Sequence, residues 1–204
     1  MTLFRSLLCT ALLCLSGMAW SASAVFAGGC FWCMEAAYQG VPGVTDVVSG
    51  FSGGTHPNPT YSGAHDGHYE VVEVTYDPQQ ISFADLLDIY WVNVDPFDGD
   101  GQFCDRGESY RPAIFVETAT ERELAQVSLN TVQAMFPGRK IEAPILERAQ
   151  FFPVEEYHQD YYLKNPVRYR YYRWGCGRDR RLDEVWEGSE IRARAEAVAP
   201  AAKH

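Results

Sequence analysis

The chain of 204 residues lacks the features of several large classes of protein. It has no internal repeat with a period of roughly 20–50 residues and no long block of like charge, so a solenoid and a charged tail are excluded. Its 17 lysines and arginines are outnumbered by 27 aspartates and glutamates. The net charge of −10 argues against nucleic acid as the main partner. With 47% apolar and 22% charged residues, a globular domain is expected.

The chain also lacks a run of about 20 apolar residues, which a membrane-spanning helix needs. Arg5 precedes a shorter apolar run around Leu7–Leu15, and the small residues Ala22-Ser23-Ala24 follow. This order predicts a signal peptide over residues 1–24, cleaved after Ala24. We therefore expect a periplasmic protein whose mature chain does not insert stably into the membrane, although a retained anchor is the alternative.

Cysteine is scarce. The six cysteines are too few for a fold that is held together mainly by disulfides. Four would remain after signal cleavage, namely Cys30, Cys33, Cys104 and Cys176. Paired cysteines are expected in an oxidising compartment, and four cysteines allow three connectivities. The sequence offers no second close cysteine pair and no His-x₃-His spacing, so no metal site is predicted.

Apolar periodicity predicts strands and helices that alternate as β-α-β-β-α-β-α-β. This order favours an α+β fold in which helices pack on a mixed sheet. One catalytic domain is predicted over residues 25–190, with long polar loops at 52–67 and 95–109. The alanine-rich end of the chain, residues 191–204, is predicted to be a disordered tail.

The segment Gly28-Gly29-Cys30-Phe31-Trp32-Cys33 carries the strongest chemical signal. A cysteine at the start of a helix lies among unpaired backbone N–H groups, which favour its thiolate, so we expect a lowered pKa for Cys30. Phe31 and Trp32 offer an apolar wall for a small substrate group. Cys33 lies one helical turn further along the chain, within reach of Cys30.

Four segments resemble, in order, the motifs of the peptide-methionine (S)-S-oxide reductases, the class A methionine sulfoxide reductases. They are Gly-Cys-Phe-Trp at 29–32, His-Tyr-Glu-Val-Val at 68–72, the Gly-Gln-Phe-Cys-Asp-Arg-Gly-Glu-Ser-Tyr-Arg loop at 101–111, and Phe-Phe-Pro-Val-Glu-Glu-Tyr-His-Gln at 151–159. The resemblance spans residues 25–165. It implies a ferredoxin-like two-layer sandwich with long active-site loops and a mostly irregular C-terminal tail.

The resemblance also implies a thiol-dependent reaction on methionine S-sulfoxide, free or in proteins. Cys30 would attack the substrate sulfur and become a sulfenic acid, while Glu70 would donate a proton as general acid. The hydroxyls of Tyr61 and Tyr110 would hold the sulfoxide oxygen. The other pocket residues are expected to be Phe31, Trp32, Asp105 and His158. No metal or organic cofactor is implied, and a thioredoxin-like reductant would reset the enzyme.

Two cysteines compete to resolve the sulfenic acid on Cys30. Cys33 is close in sequence, whereas Cys176 is flanked by glycines near the C-terminus, where the family usually has its resolving cysteine. We hypothesise that Cys33 resolves Cys30, with direct resolution by Cys176 as the alternative. If Cys33 is the resolving residue, Cys104 and Cys176 could form a second bridge, or Cys176 could relay oxidation outward. Two other functions stay open, namely a thiol–disulfide oxidoreductase that uses the Cys30-x-x-Cys33 pair and a non-catalytic binding module.

Overall fold

The computed structural model describes residues 21–199, so residues 1–20 of the predicted signal peptide lie outside it. The strands are β1 (Ala22–Gly28), β2 (Val44–Ser52), β3 (Tyr69–Tyr76), β4 (Gly101–Gln102), β5 (Asp105–Arg106), β6 (Pro112–Val116), β7 (Ile145–Glu147) and β8 (Phe152–Pro153). The α-helices are α1 (Phe31–Tyr38), α2 (Phe83–Trp91), α3 (Ala119–Met135), α4 (Tyr161–Lys164), α5 (Pro166–Gly175), α6 (Arg178–Trp186) and α7 (Glu190–Val198). None of these helices is long and apolar enough to cross a membrane.

The main sheet has six strands in the order β7-β6-β1-β3-β2-β8. The pairs β6–β1, β1–β3, β3–β2 and β2–β8 are antiparallel, whereas β7 pairs parallel with β6, so the sheet is mixed. Helix α1 connects β1 to β2 and helix α2 follows β3, which gives the β-α-β-β-α-β order of the ferredoxin-like topology. Both helices pack against the sheet. The predicted α+β fold is therefore confirmed.

The core lies between the sheet and these two helices. Phe26 of β1 stacks on Tyr38 of α1 and on Tyr90 of α2, with ring centroids 5.3 and 5.5 Å apart. The three side chains are fully buried. Burying a large side chain stabilises a fold by about 1.5–3 kcal/mol, so this aromatic stack fixes both helices on the strand that leads into the cysteine segment.

The C-terminal part of the chain is helical, which corrects two predictions. Helices α5, α6 and α7 replace the irregular tail, and α7 covers most of the predicted disordered segment, 191–204. Ile191 and Ala195 of α7 are 1% and 3% exposed, and Arg194 binds Asp88 of α2 at 2.6 and 2.8 Å. Small alanines form half of this apolar face, so composition alone concealed it. Residues 200–204 lie outside the described part.

Strand β1 begins three residues before the predicted start of the domain at residue 25. Ala22, Ser23 and Ala24 pair with β3, and Ala24 is 2% exposed. Arg148 donates hydrogen bonds to the carbonyl oxygen and the hydroxyl of Ser23, at 3.1 and 2.9 Å. Cleavage after Ala24 would therefore remove three paired residues from an inner strand of the sheet.

Candidate active site

Cys30 is the residue that begins helix α1, as the sequence predicted. Its carbonyl oxygen accepts hydrogen bonds from the backbone N–H groups of Cys33 and Met34, at 3.0 and 3.3 Å. The preceding turn needs glycine, because Gly29 has a φ of +80° and a Cβ on Gly28 would lie 2.4 Å from Sδ of Met34. The turn delivers the Cys30 side chain to a site where it is 5% exposed.

Cys30 and Cys33 are buried free cysteines at the start of helix α1. Burial raises the pKa of Cys30, which corrects the prediction that the helix start lowers it. A hydrogen bond from Cys30 and the positive charges of Arg178 and Arg173 lower the pKa of Cys33. Cys33 is therefore the more acidic thiol of the pair.

Helices α5 and α6 supply the remaining groups around Cys33, which sequence reasoning missed. Tyr169 packs in the same buried cluster as Cys33, and Nη1 of Arg173 donates a hydrogen bond to the Tyr169 hydroxyl at 3.2 Å. Arg173 is in turn paired with Asp179 at 2.6 Å. The positive charge of Arg178 also lowers the pKa of Cys33. The sequence feature that could have indicated these residues is the run of basic and aromatic side chains between residues 168 and 181.

Glu70 projects from β3 towards the start of α1 and is 2% exposed. Its Oε2 accepts a hydrogen bond from the backbone N–H of Phe31 at 3.1 Å. Burial raises the pKa of Glu70 to about 8, and the negative charges of Asp105 and Cys33 act in the same direction. At neutral pH this carboxyl is largely protonated, which is the state that the predicted general acid requires.

Tyr61 and Tyr110 lie near enough to Glu70 for the charge of its carboxylate to raise the pKa of both hydroxyls. Burial raises the pKa of Tyr61 to about 12 and the pKa of Tyr110 above its usual value, and the charges of Glu70, Cys30 and Asp105 add to both effects. The two hydroxyls therefore keep their protons and can donate hydrogen bonds to an oxygen of the substrate. The structure brings together the residues that the resemblance implied.

An aromatic wall borders this group and includes the predicted residues Phe31, Trp32 and His158. The His158 ring lies 5.7 Å from Phe31, 5.7 Å from Trp32 and 4.0 Å from Tyr61, measured between ring centroids. Trp32 also stacks on Tyr161 of α4 at 3.8 Å. Burial lowers the pKa of His158, so its imidazole is neutral at pH 7 and serves as an aromatic surface.

A disulfide joins Cys104 to Cys176, whose Cα atoms are 4.9 Å apart. Of the two possibilities that the sequence left open for Cys104 and Cys176, the structure has the second bridge. Asp105, next to Cys104, accepts a hydrogen bond from the Tyr172 hydroxyl at 2.5 Å, and burial raises the pKa of this aspartate. The Tyr172 hydroxyl also lowers the pKa of Cys30, against the effect of burial. The bridge thus fastens helix α5 to the loop that borders the site.

A buried dithiol facing a protonated carboxyl and two tyrosine hydroxyls defines a thiol-dependent oxidoreductase. The sequence model of the family described as peptide methionine sulfoxide reductase matches residues 22–190. The chain is 51% identical over 169 residues to peptide methionine sulfoxide reductase MsrA 2 of Caulobacter vibrioides, covering 81% of this chain and 86% of that protein. It is 46% identical over 168 residues to peptide methionine sulfoxide reductase MsrA of Bacillus licheniformis, and the match covers 80% of this chain and 92% of that protein.

Solved structures agree with the sequence comparisons. Methionine sulfoxide reductase A of Corynebacterium diphtheriae is similar with a TM-score of 0.64 and 32% identity, covering 75% of this chain and 79% of that one. Reduced Mxr1 from Saccharomyces cerevisiae is similar with a TM-score of 0.65 and 29% sequence identity, and the match covers 74% of this chain and 88% of Mxr1. The chain belongs to the peptide methionine sulfoxide reductase family, which confirms the resemblance noted from its motifs.

Proposed function

We propose that the protein reduces methionine S-sulfoxide, free or within proteins, to methionine. The observation that carries this proposal is the protonated Glu70 carboxyl, held against the helix start that bears Cys30. Reduction of a sulfoxide needs a sulfur nucleophile and a proton for the departing oxygen, and these two residues supply them. The names of the relatives support the same class of substrate.

The two sulfoxide epimers provide the test of this function. We expect the purified protein, supplied with a dithiol, to reduce the S epimer and to leave the R epimer almost untouched. The aromatic wall and the hydroxyls of Tyr61 and Tyr110 lie in one fixed arrangement, which matches one placement of the methyl group and the oxygen. Methionine formation is measured separately for each epimer. Equal rates, or no methionine from either, would contradict the proposal.

In the first chemical step, Cys30 transfers its proton to the Cys33 thiolate and attacks the sulfoxide sulfur. Glu70 protonates the oxygen, so that the substrate sulfur carries both the hydroxyl group and a bond to the Cys30 sulfur. The hydroxyl then moves from the substrate sulfur to the Cys30 sulfur: the sulfur–oxygen bond of the substrate and the bond between the two sulfurs break, a sulfur–oxygen bond forms on Cys30, and methionine leaves. Cys30 is left as a sulfenic acid, so the substrate gains two electrons and Cys30 loses them.

In the second step, Cys33 attacks the Cys30 sulfenic acid, water leaves, and a Cys30–Cys33 disulfide forms. Cys33 is favoured as the resolving residue because Cys176 is already bonded to Cys104. A thioredoxin-like protein then reduces the disulfide by thiol exchange and restores both thiols, which requires no metal or organic cofactor.

Replacing Cys33 with serine is expected to stop the cycle after one round. With a thioredoxin-like reductant, the Cys33→Ser enzyme should release at most one methionine per molecule, because no neighbouring thiol remains to displace the sulfenic hydroxyl. This methionine should also appear more slowly, since the acceptor for the proton of Cys30 is lost. Quenched-flow measurement of methionine per enzyme checks both effects.

The matched control is Cys176→Ser, which removes the other candidate. This variant should continue beyond one methionine per enzyme. If Cys176→Ser stalls while Cys33→Ser cycles normally, the resolving residue is Cys176 and the second step above is wrong.

We propose that the protein acts in the periplasm. The N-terminal leader supports export, and the Cys104–Cys176 disulfide suits an oxidising compartment. Because β1 begins at Ala22, we propose that the leader is cut upstream of the predicted position. Gly17-Met18-Ala19 places small residues one and three positions before a cut after Ala19.

The mass of the exported protein tests this cleavage site. A cut after Ala19 leaves Trp20 as the first residue and keeps strand β1 whole. The intact mass of protein recovered from the periplasm should match residues 20–204. A mature chain that begins at Val25, or an absence of the protein from the periplasm, would contradict this proposal.

A further inference from the structure

Glu35 is a buried carboxyl that the proposed reaction does not use. It lies on α1 two positions after Cys33, and it is 0% exposed. Its Oε1 accepts a hydrogen bond from the backbone N–H of Asp160 at 3.0 Å. Its Oε2 has no hydrogen-bond partner among residues 21–199. Burying an ionised carboxylate with one oxygen unpartnered is strongly unfavourable, so the charge state of Glu35 needs a physical explanation.

Gln39, one helical turn further along the chain, also has a buried oxygen without a donor. Its Nε2 donates a hydrogen bond to Oδ1 of Asp160 at 2.7 Å. This bond fixes the orientation of the amide, because only the amide nitrogen can donate to a carboxylate. The Oε1 of Gln39 is therefore an acceptor, and it has no partner in the described part of the chain. Solvent reaches neither this oxygen nor Oε2 of Glu35, so water does not supply the missing donor.

A proton on Glu35 satisfies both oxygens at once. Glu35 and Gln39 are four positions apart, which makes their side chains neighbours on the surface of α1. Both side chains are also held to the same residue, Asp160, at 3.0 and 2.7 Å. A protonated carboxyl is a donor as well as an acceptor. With the proton on Oε2, Glu35 donates to Oε1 of Gln39 and still accepts from Asp160, and no charge is buried.

The groups around Glu35 favour this neutral form. The titratable and charged groups that face it are Asp46 of β2, Glu156 and Asp160 of the segment before α4, and Tyr162 and Lys164 of α4. Three are acidic, and the cation Lys164 is already paired with Glu156 at 2.7 Å. Burial raises the pKa of Glu35 to about 7, and the charge of Asp160 acts in the same direction. The charge of Lys164 and two backbone N–H groups act against these effects.

Asp160 connects this hydrogen-bonded group to the aromatic wall of the site. It lies between His158 and Tyr161 in the chain, and its φ of +53° is a left-handed conformation that a residue other than glycine keeps only when its surroundings hold it. The Tyr161 ring stacks on Trp32 of α1 at 3.8 Å, and the His158 ring stacks on Trp32 at 5.7 Å. The conformation of Asp160 therefore sets where two rings of the wall meet the cysteine helix.

Two sets of hydrogen bonds fasten this segment to the rest of the fold. The side chain of Gln159 binds both backbone groups of Ser49 in β2, at 2.8 and 2.9 Å, which fixes the segment to the sheet. The bonds from Glu35 and Gln39 to Asp160 fix the same segment to α1. Loss of the second set would leave the segment on the sheet but would release it from the helix that bears both cysteines.

We propose that Glu35 is a positioning residue whose protonated carboxyl, bridging Gln39 and Asp160, holds the aromatic wall in place against the cysteine helix. This inference rests on the proposed function, because the wall is where the methyl group of methionine S-sulfoxide would bind. It assigns Glu35 an effect on substrate binding. The proton is present below pH 7 and is lost as the pH rises through that value, so binding should weaken above pH 7.

Binding of methionine S-sulfoxide to Cys30→Ser protein, measured by calorimetry below and above pH 7, tests the inference without turnover. Glu35→Met removes both hydrogen bonds and should weaken binding below pH 7 by roughly three- to tenfold, which is the usual contribution of a buried hydrogen bond. Glu35→Gln is the conservative variant, because its amide accepts from Asp160 and donates to Gln39. It should bind as tightly as protein with Glu35 intact below pH 7, and it should keep this affinity above pH 7.

The matched control is Glu123→Met, which removes an exposed glutamate of α3 and should leave binding unchanged at each pH. Infrared difference spectra report the proton itself and require no substrate. The carbonyl band of one protonated carboxylic acid should be present below pH 7 with Glu35 intact and absent in Glu35→Gln. The band of Glu70 is common to both proteins and cancels in the difference. If Glu35→Met does not fold, Glu35→Gln and the infrared band decide the question.

A Glu35→Gln protein that binds as weakly as Glu35→Met would overturn the inference, since the carboxylate and not the acid would then be the functional form. Unchanged binding by folded Glu35→Met, or an acid band that Glu35→Gln does not remove, would do the same. Failure of the proposed function is a separate result, because it would be seen as an absence of methionine from the unmodified enzyme.

Discussion

Replacing Cys30 with serine is expected to reduce methionine formation below detection while the protein stays folded. A serine hydroxyl has almost the volume of a thiol and fits the buried start of α1, but it forms no nucleophilic anion near neutral pH. Single-turnover assays with the S epimer measure the loss. Circular dichroism and thermal unfolding check that the fold is retained.

The Cys104–Cys176 bridge provides an internal control for this variant. Cys30→Ser protein should still contain the oxidised bridge and should have one fewer free thiol than the unmodified protein. Substantial turnover by this folded variant would show that another sulfur attacks the substrate, with Cys33 as the first candidate.

Replacing Glu70 with glutamine is expected to lower the rate of the first step by roughly 10²–10⁴-fold, which is the usual contribution of general acid–base catalysis. The amide oxygen of glutamine can still accept the hydrogen bond from the N–H of Phe31, so the local structure should be kept. The loss of rate then measures the missing proton donor and not a change in the fold. Glu73→Gln on the same strand is the matched control. Glu73 pairs with Arg148 away from the cysteines, and its replacement should leave the rate unchanged.

The pH profile adds a second signature of Glu70. Because burial raises the pKa of this carboxyl to about 8, the acid form predominates below pH 8 and is lost as the pH rises through that value. The first-step rate of the unmodified enzyme should therefore fall above pH 8, and Glu70→Gln should lack this fall. An unchanged single-turnover rate in Glu70→Gln would mean that Tyr110 or water provides the proton.

The local features of the site could be predicted from the sequence because they depend on short-range rules. A cysteine at a helix start was predicted from the segment Gly28-Gly29-Cys30, and the structure places a left-handed turn at Gly29 directly before Cys30. The strand that bears Glu70 follows from its β-branched residues. Counting cysteines left three connectivities open, and the structure has the one in which Cys104 pairs with Cys176.

The electrostatics of the cysteine pair could not be predicted in the same way. Helix geometry alone favours a thiolate on Cys30, but the pKa depends on burial and on which neighbour donates the hydrogen bond. Tyr169 and Arg178 act on Cys33 from more than 130 positions along the chain. Their contribution depends on how helices α5 and α6 pack, and the sequence shows only that the run is basic and aromatic.

Helix α7 was missed for a related reason. Its apolar face of Ile191, Ala195 and Val198 has helical spacing, but its short alanine side chains resemble a solvated segment until α2 is in place. The stability of such a helix comes mainly from the tertiary contact, since isolated helices of this length are marginal in water.

Disulfide mapping after one turnover tests the central claim most directly. Enzyme with the outer bridge intact and the inner pair reduced is mixed with one equivalent of methionine S-sulfoxide, alkylated without reduction, and analysed by mass spectrometry of its peptides. We expect one methionine per enzyme, no free thiol in the mature chain, and the two bonds Cys30–Cys33 and Cys104–Cys176. A Cys30–Cys176 bond, or a Cys30 that remains alkylated after methionine has formed, would contradict the account.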